Sequence, residues 1–130
     1  MANTPGFVEH ILDLARPVGS VTARAMFGGH GIYVDGTIVA IVVADVMYLK
    51  TDDLSRSVFV DLDLEPFRYQ AHDGSAHVTS YFRAPDEALE SPPAMRDWLR
   101  RALAAALRVS AGKRPAKTTK RRGRQGVPRA

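Results

Sequence analysis

The chain has 130 residues, enough for one folded domain but not for two hydrophobic cores. Its composition is that of an ordinary globular protein, and the absence of cysteine excludes disulfides, thiolate metal sites and a cysteine nucleophile. The formal net charge of +4 is unevenly distributed and comes from the C-terminal end of the sequence.

The first predicted element is a helix that begins at Thr4-Pro5, because proline suits the first helical position, and ends before Pro17 and Gly19. Its apolar residues recur at helical spacing and are Phe7, Val8, Ile11, Leu12 and Ala15. No basic segment followed by an apolar run precedes it, so we expect no secretory signal. The longest apolar run is too short to span a bilayer, and a cytoplasmic protein without membrane contact is predicted.

Four strands are predicted next. Asp35-Gly36 indicates a two-residue hairpin turn, because both residues tolerate positive φ. The third strand is apolar throughout, which predicts a central position with both faces covered. The predicted strands are residues 21–27 (with Val21, Ala23, Ala25 and Phe27 on one face), a segment through Ile32 and Val34, residues 38–43, and residues 46–50.

In the second half, Asp52-Asp53 is predicted to open a short helix that ends by Asp61 and turns Leu54, Val58 and Phe59 inward. A second hairpin of residues 66–69 and 78–83, a helical turn at 84–87 and a last helix capped by Ser91-Pro92 follow. The apolar stripe of the last helix is Met95, Trp98, Leu99, Ala102, Leu103, Ala106 and Leu107, with Arg96, Arg100, Arg101 and Arg108 on its outer side. This order predicts an α+β fold, a two-layer antiparallel sheet of about five to six strands backed by helices.

The glycine cluster Gly28-Gly29-His30-Gly31 invites comparison with phosphate-binding loops. Such loops need a strand, then glycines, then a helix whose amides face the phosphate, whereas these glycines join two predicted strands. We therefore interpret them as a bulge or a tight crossing where side chains would clash.

No catalytic residue, metal site or cofactor is predicted. The four histidines, His10, His30, His72 and His77, lack convincing metal-ligand spacing. The acidic run at 61–65 lacks the glycine and closing glutamate of a calcium loop, and Asp52-Asp53 and Asp86-Glu87 lie at predicted helix starts, where capping explains them. No nucleophile elbow is present, so a non-enzymatic protein is expected, although triads can assemble from distant residues.

One face of the predicted sheet is a candidate binding surface. If side chains alternate, Arg24, Tyr33, Tyr48 and Lys50 share the face turned away from the helices, together with Tyr81 or Arg83. Tyrosine and arginine suit a protein partner or single-stranded nucleic acid. A solvated face of an antiparallel sheet is the alternative.

The C-terminal segment differs in charge from the rest. Residues 1–111 hold 10 Lys/Arg and 14 Asp/Glu, a net of 10 − 14 = −4, whereas residues 112–130, hereafter the tail, hold eight bases and no acid. Glycines and prolines interrupt the tail, which is predicted to be disordered, with a folded domain over residues 1–111. The tail is predicted to contact DNA or RNA without reading sequence, through Lys113, Arg114, Lys117, Lys120, Arg121, Arg122, Arg124 and Arg129.

Residues 24–36, RAMFGGHGIYVDG, resemble the signature run of the TfoX/Sxy N-terminal domain family. The signature positions are Met26, Phe27, Gly28, Gly29, Gly31, Tyr33, Asp35 and Gly36. Residues 47–52 and 65–69, then Tyr81, Pro85 and Trp98, follow in the expected order, so that the resemblance covers about Phe7 to Arg108.

This resemblance implies a fold similar to type III secretion chaperones, a bacterial origin and kinship with a regulator of competence genes that acts beside the cyclic-AMP receptor protein. Two features depart from the family pattern: His30 replaces the usual aromatic residue, and the basic tail stands where the regulators carry a second helical domain. Two functions remain open. One is a regulatory protein that engages the transcription machinery while the tail contacts nucleic acid; the other is a protein-binding or homodimerising module with a solvated tail.

Overall fold

The computed structural model describes residues 3–26 and 28–113. The helices are α1 (Pro5–Ala15), α2 (Arg56–Asp61) and α3 (Pro92–Lys113), with 3₁₀ turns at Arg16–Val18 and Asp86–Leu89. The strands are β1 (Val21–Met26), β2 (Gly29–Val34), β3 (Thr37–Val43), β4 (Val46–Lys50), β5 (Pro66–Gln70) and β6 (Ala76–Arg83). All six form one antiparallel sheet in the order β1-β2-β3-β4-β6-β5. The predicted α+β fold is confirmed, whereas the likeness to secretion chaperones stays a prediction.

Two tight turns place β2, β3 and β4 side by side. Asp35 and Gly36 have φ values of 48° and 85°, and Ala44 and Asp45 have φ values of 51° and 61°. Positive φ at both central residues defines the turn type whose twist matches a hairpin, so the turn predicted at Asp35-Gly36 is confirmed. Glycine adopts this conformation freely, whereas Ala44 does so at a cost in free energy.

The N-terminal segment stabilises the strained turn at Ala44. The Asp45 amide donates to the side-chain oxygen of Asn3 at 2.8 Å, and the Asp45 carboxylate accepts from the Thr4 amide at 2.7 Å and the Thr4 hydroxyl at 2.6 Å. These bonds to Thr4 hold the pKa of Asp45 below its usual value. Thr4 occupies the N-cap position of α1, but its hydroxyl donates to Asp45 in this turn and makes no cap bond.

The core lies between one face of the sheet and the long helices. Ile11 of α1 and Met95 and Leu99 of α3 are fully buried against Ile32 and Leu49 of the strands. The Phe59 ring of α2 closes this core, with its centroid 5.4 Å from the Trp98 ring and 5.9 Å from the Phe82 ring. Burial of these side chains is the main favourable contribution to folding.

Close contacts between strands explain why two positions of β2 are occupied by glycine. A Cβ atom on Gly29 would collide with the backbone carbonyl of Val42, and one on Gly31 would lie 2.5 Å from the Met26 methyl. The β2–β3 pairing also shifts register between Ile32 and Tyr33. The interpretation of a tight crossing is therefore confirmed at these glycines, which lie within β2 rather than in a loop.

Several local predictions are wrong. Helix α2 begins at Arg56, because Asp52 and Ser55 form a turn before it, and Leu54 is consequently 73% exposed. Leu107 is 51% exposed although it continues the stripe of α3. The third strand is not covered on both faces, because both long helices pack on one side of the sheet and leave its other side chains half-buried.

Helix α3 continues to Lys113, two residues past the domain boundary predicted at 111. The Arg108 guanidinium donates to both carboxylate oxygens of Asp52, at 2.5 and 3.0 Å, which ties the end of α3 to the loop after β4. This ion pair holds the pKa of Asp52 well below its usual range. No helix in the described part of the chain is long and apolar enough to cross a membrane.

The two glycine environments give a matched test of the tight crossing. Gly29→Ala is expected to lower the free energy of unfolding by about 1–3 kcal/mol, because the β3 backbone must move to admit the methyl group. Gly6→Ala, in the first turn of α1 with no atom within 4 Å of the added Cβ, is expected to be neutral or stabilising by up to ~1 kcal/mol. Urea unfolding of both variants measures the difference. Equal stabilities would contradict the close approach of β2 and β3.

Candidate partner-binding face of the sheet

Within residues 3–26 and 28–113, the sheet has one face packed on the helices and one face without a helical layer, which we call the outer face. Strand side chains alternate between faces, and directly paired residues share a face. The strand register therefore shows to which face of the sheet each residue belongs. Those of the outer face that concern function are Arg24, Tyr33, Ile38, Ile41, Tyr48, Lys50, Phe67, Tyr69, His77, Tyr81 and Arg83.

One row of paired residues crosses five strands of this face. Arg24 pairs with Gly31, Gly31 with Ile41, Ile41 with Tyr48, and Tyr48 with Arg83. Both arginines are exposed, whereas Ile41 and Tyr48 are half-buried. The row therefore has an apolar and aromatic centre between two cationic ends.

Aromatic rings extend the surface from the centre of the row onto the β5–β6 hairpin. The Tyr48 centroid lies 5.1 Å from that of Phe67, which lies 6.4 Å from Tyr69, and Tyr69 lies 5.3 Å from the His77 ring. The last two contacts are nearly parallel, with interplanar angles of 20° and 21°. Offset stacks of this kind stabilise the rings against one another and keep apolar area at the surface.

Cations lie over two further tyrosines. The Arg24 guanidinium carbon is 5.0 Å from the Tyr33 ring centroid, and the Lys50 ammonium is 5.1 Å from that of Tyr81. The Lys50 ammonium also donates to the Ser80 hydroxyl at 2.7 Å. Burial raises the pKa of the Tyr81 hydroxyl, and the proximity of Tyr33 raises it further. The Tyr81 hydroxyl therefore stays neutral at physiological pH and can donate a hydrogen bond to a partner.

The structure places the four residues predicted for this face, Arg24, Tyr33, Tyr48 and Lys50, on one surface. Tyr81 and Arg83, which were predicted as alternatives, both belong to it. Sequence reasoning missed two groups of residues, the isoleucines of β3 and the rings of the β5–β6 hairpin. Their one available signal was strand alternation, which the uniformly apolar β3 and the shifted β5–β6 register obscure.

His30, which replaces the usual aromatic residue of the family in the glycine cluster, has a structural partner. The Asn3 side-chain amide nitrogen lies 3.0 Å from the His30 Nδ1 atom and donates to the Val42 carbonyl at 2.7 Å. Because that amide nitrogen can only donate, Nδ1 accepts in this arrangement. His30 therefore helps to hold the N-terminal segment on the edge of the core.

The acidic pairs have structural roles as well. Asp52 accepts from the Ser55 amide and from Arg108, and Glu87 accepts from the Trp98 indole at 2.8 Å. Within residues 3–26 and 28–113, no three histidine, aspartate or glutamate residues gather as a metal site would require.

Among the predicted tail contacts, Lys113 is the last residue of α3, and the others lie outside the described residues. Phe27 of the signature run also lies outside the described residues.

A family model for the TfoX N-terminal domain matches residues 13–106 of this sequence. The match spans all six strands, the glycine cluster of β2 and most of α3. No curated protein matches the sequence. Because the family model covers well over half of the chain, the chain belongs to the TfoX N-terminal domain family.

Proposed function

We propose that this protein is a non-enzymatic regulatory protein that acts by binding a protein partner on the outer face of its sheet. The family supports a regulatory role of the competence type. The observation that carries the proposal is the composition of the outer face, where aliphatic and aromatic side chains form a continuous surface with cations at its margin. Aromatic residues and arginine are the types enriched in protein interfaces.

The chemistry of this surface favours binding over catalysis. Tyr33 and Tyr81 lie beneath cations, and Tyr69 lies in a ring stack. The Ser75 hydroxyl lies 2.8 Å from His77 Nε2 but donates to Asp73, so it is not arranged as a nucleophile that gives its proton to this base. The rings are instead fixed in position by their neighbours, which lowers the entropy lost when a partner covers them. A preorganised aromatic surface is the usual centre of an interface.

The face can be tested by crosslinking in cells of the source organism. A photoreactive benzoylphenylalanine at position 48, at the centre of the outer face, is expected to yield a discrete protein adduct. The same residue at position 100, on the exposed side of α3, is the matched control and is expected to yield none. Denaturing electrophoresis and mass spectrometry identify the adduct. Identical adducts at both positions, or none at 48 under illumination, would contradict the proposal.

A second candidate activity, nucleic-acid contact by the tail, is favoured by charge. The tail carries eight Lys/Arg and no acid, whereas residues 1–111 have a net charge of −4. Such a segment binds polyanions by neutralising phosphates and releasing counterions. In this arrangement the tail would hold the protein on nucleic acid while the outer face engages the transcription machinery.

The tail contribution is measurable from the salt dependence of DNA binding by the full chain. Replacing Arg121, Arg122 and Arg124 with glutamine is expected to make the slope of log affinity against log salt shallower by about 2–3, because each lost phosphate contact removes about 0.9. A control that replaces Arg96, Arg100 and Arg101 of α3 with glutamine has the same net charge as the tail variant. Its slope of log affinity against log salt is expected to equal that of the unaltered protein. Fluorescence anisotropy of a labelled duplex gives both slopes, and equal slopes would exclude the tail as the DNA-binding element.

A further inference from the structure

Positively and negatively charged side chains of this domain lie in different kinds of secondary structure. Within residues 3–26 and 28–113, the strands carry four Lys/Arg residues, namely Arg24, Lys50, Arg68 and Arg83, and no Asp or Glu. All carboxylates of this part of the chain lie in helices, turns and loops. A domain of net negative charge therefore presents a sheet that is positively charged.

The turn carboxylates nearest to the strands are engaged by the backbone. Asp35 accepts from the Ser20 amide at 3.1 Å, and Asp45 accepts from the amide and hydroxyl of Thr4. These bonds hold both carboxylates at the ends of the strands. Among the described residues, they neutralise neither Arg24 nor Arg83 of the outer face.

The spacing of the cations limits the size of the partner segment. Arg24 and Arg83 stand four strand spacings apart, which is about 19 Å at ~4.8 Å per spacing. Between them lie Ile41 and Tyr48. A segment that reaches both arginines needs roughly six extended residues or about 13 helical ones, with apolar side chains between its acidic positions.

A second copy of this chain fits this face poorly. A two-fold contact places the same patch on both sides, so Arg24 and Arg83 of one copy would face the arginines of the other copy. Buried like charges disfavour such an interface.

Single-stranded nucleic acid fits less well than an acidic peptide. Bases bind such surfaces by stacking on ring faces. Here one face of the Tyr33 ring is taken by Arg24, one face of Tyr81 by Lys50, and Tyr69 stacks with both Phe67 and His77. The surface accordingly offers ring edges, aliphatic groups and cations.

From these observations we infer that the outer face binds an acidic, apolar segment of a protein partner, whose carboxylates pair with Arg24 and Arg83 while its apolar side chains cover Ile41 and Tyr48. The inference rests on the proposed function, because it specifies the partner of the same face. Charge-assisted hydrogen bonds at the two ends fix the register of the segment, and the apolar centre supplies most of the affinity.

The test is a selection of peptides from a random 16-residue display library on the full 130-residue chain. Counter-selection on Ile41→Glu, which disrupts the outer face and keeps the basic tail, removes peptides that bind the tail. The surviving peptides are expected to combine aromatic or aliphatic residues with a net negative charge. Their affinity, measured by fluorescence anisotropy, is expected to fall about tenfold or more in Arg24→Ala/Arg83→Ala, since each lost charge pair contributes on the order of 1 kcal/mol.

The matched control is Arg96→Ala/Arg100→Ala on α3, which removes the same charge from the other side of the molecule and is expected to leave affinity unchanged. Arg24 and Arg83 are exposed, so their double variant keeps the test decisive even if Ile41→Glu does not fold. Circular dichroism establishes that each variant is folded.

The outcomes separate the two claims. If no selected peptide depends on Ile41 or on the two arginines, the outer face is not a docking surface and the proposed function fails with the inference. If the peptides that depend on Ile41 or on the two arginines are neutral or basic, the proposed function stands. The inference that the partner segment is acidic is then wrong. Binding of a labelled oligothymidine that Ile41→Glu abolishes, or a dimer in sedimentation equilibrium that it dissociates, would overturn the inference in favour of nucleic acid or a second copy.

Discussion

The packing of both long helices on one face of the sheet is the constraint on which the rest of the structure depends. It buries Ile11 and Leu99 against the strands and leaves the opposite face without a helical layer from the described part of the chain. Because strand side chains alternate, every second residue of the strands is then committed to the outer face. Ile38, Ile41, Tyr33, Tyr48 and Tyr81 at those positions are half-buried, whereas Tyr69 at the edge is exposed.

Contacts among side chains adapt the outer face to the absence of a covering layer. Arg24 and Lys50 lie over tyrosine rings, and Tyr48 and Phe67 contact each other, so apolar area is reduced by neighbours within the same face. Exposed apolar patches on sheets are otherwise a hazard for aggregation and a marker of interaction sites. The side-chain contacts that reduce the exposed apolar area also hold the rings in fixed positions, where a partner can contact them.

The carboxylates contribute to stability elsewhere and so leave the sheet positively charged. Asp45 holds the N-terminal segment, Asp52 holds the end of α3 through Arg108, and Glu87 fixes the Trp98 indole. These bonds use acids at helix starts and turns, where backbone amides and cations are available. Capping by a side-chain hydrogen bond, predicted for the acids at 52–53 and 86–87, is wrong, because neither α2 nor the 3₁₀ turn at Asp86–Leu89 has such a bond.

Local chemistry made part of this structure predictable. The hairpin at Asp35-Gly36 follows from residues that tolerate positive φ, and the shared face of Arg24 and Tyr33 follows from alternation. The exposure of Leu54 was missed because it depends on where the turn at Asp52 ends.

Long-range pairing was not predictable in the same way. Phe67 of β5 contacts Tyr48 of β4 although β6 lies between the two strands, and nothing in either strand alone indicates this contact. Residues 38–43 of β3 are all apolar and likewise give no sign of which face the helices cover.

The four isoleucines of the chain test the central claim most directly, because Ile11 and Ile32 lie in the core and Ile38 and Ile41 lie on the outer face. The measurement is methyl NMR of isoleucine-labelled full-length protein with a soluble paramagnetic agent. An outer face open to solvent predicts strong relaxation enhancement at Ile38 and Ile41 and little at Ile11 and Ile32. Protection of all four methyl groups would contradict the account, because the outer face would then already be covered.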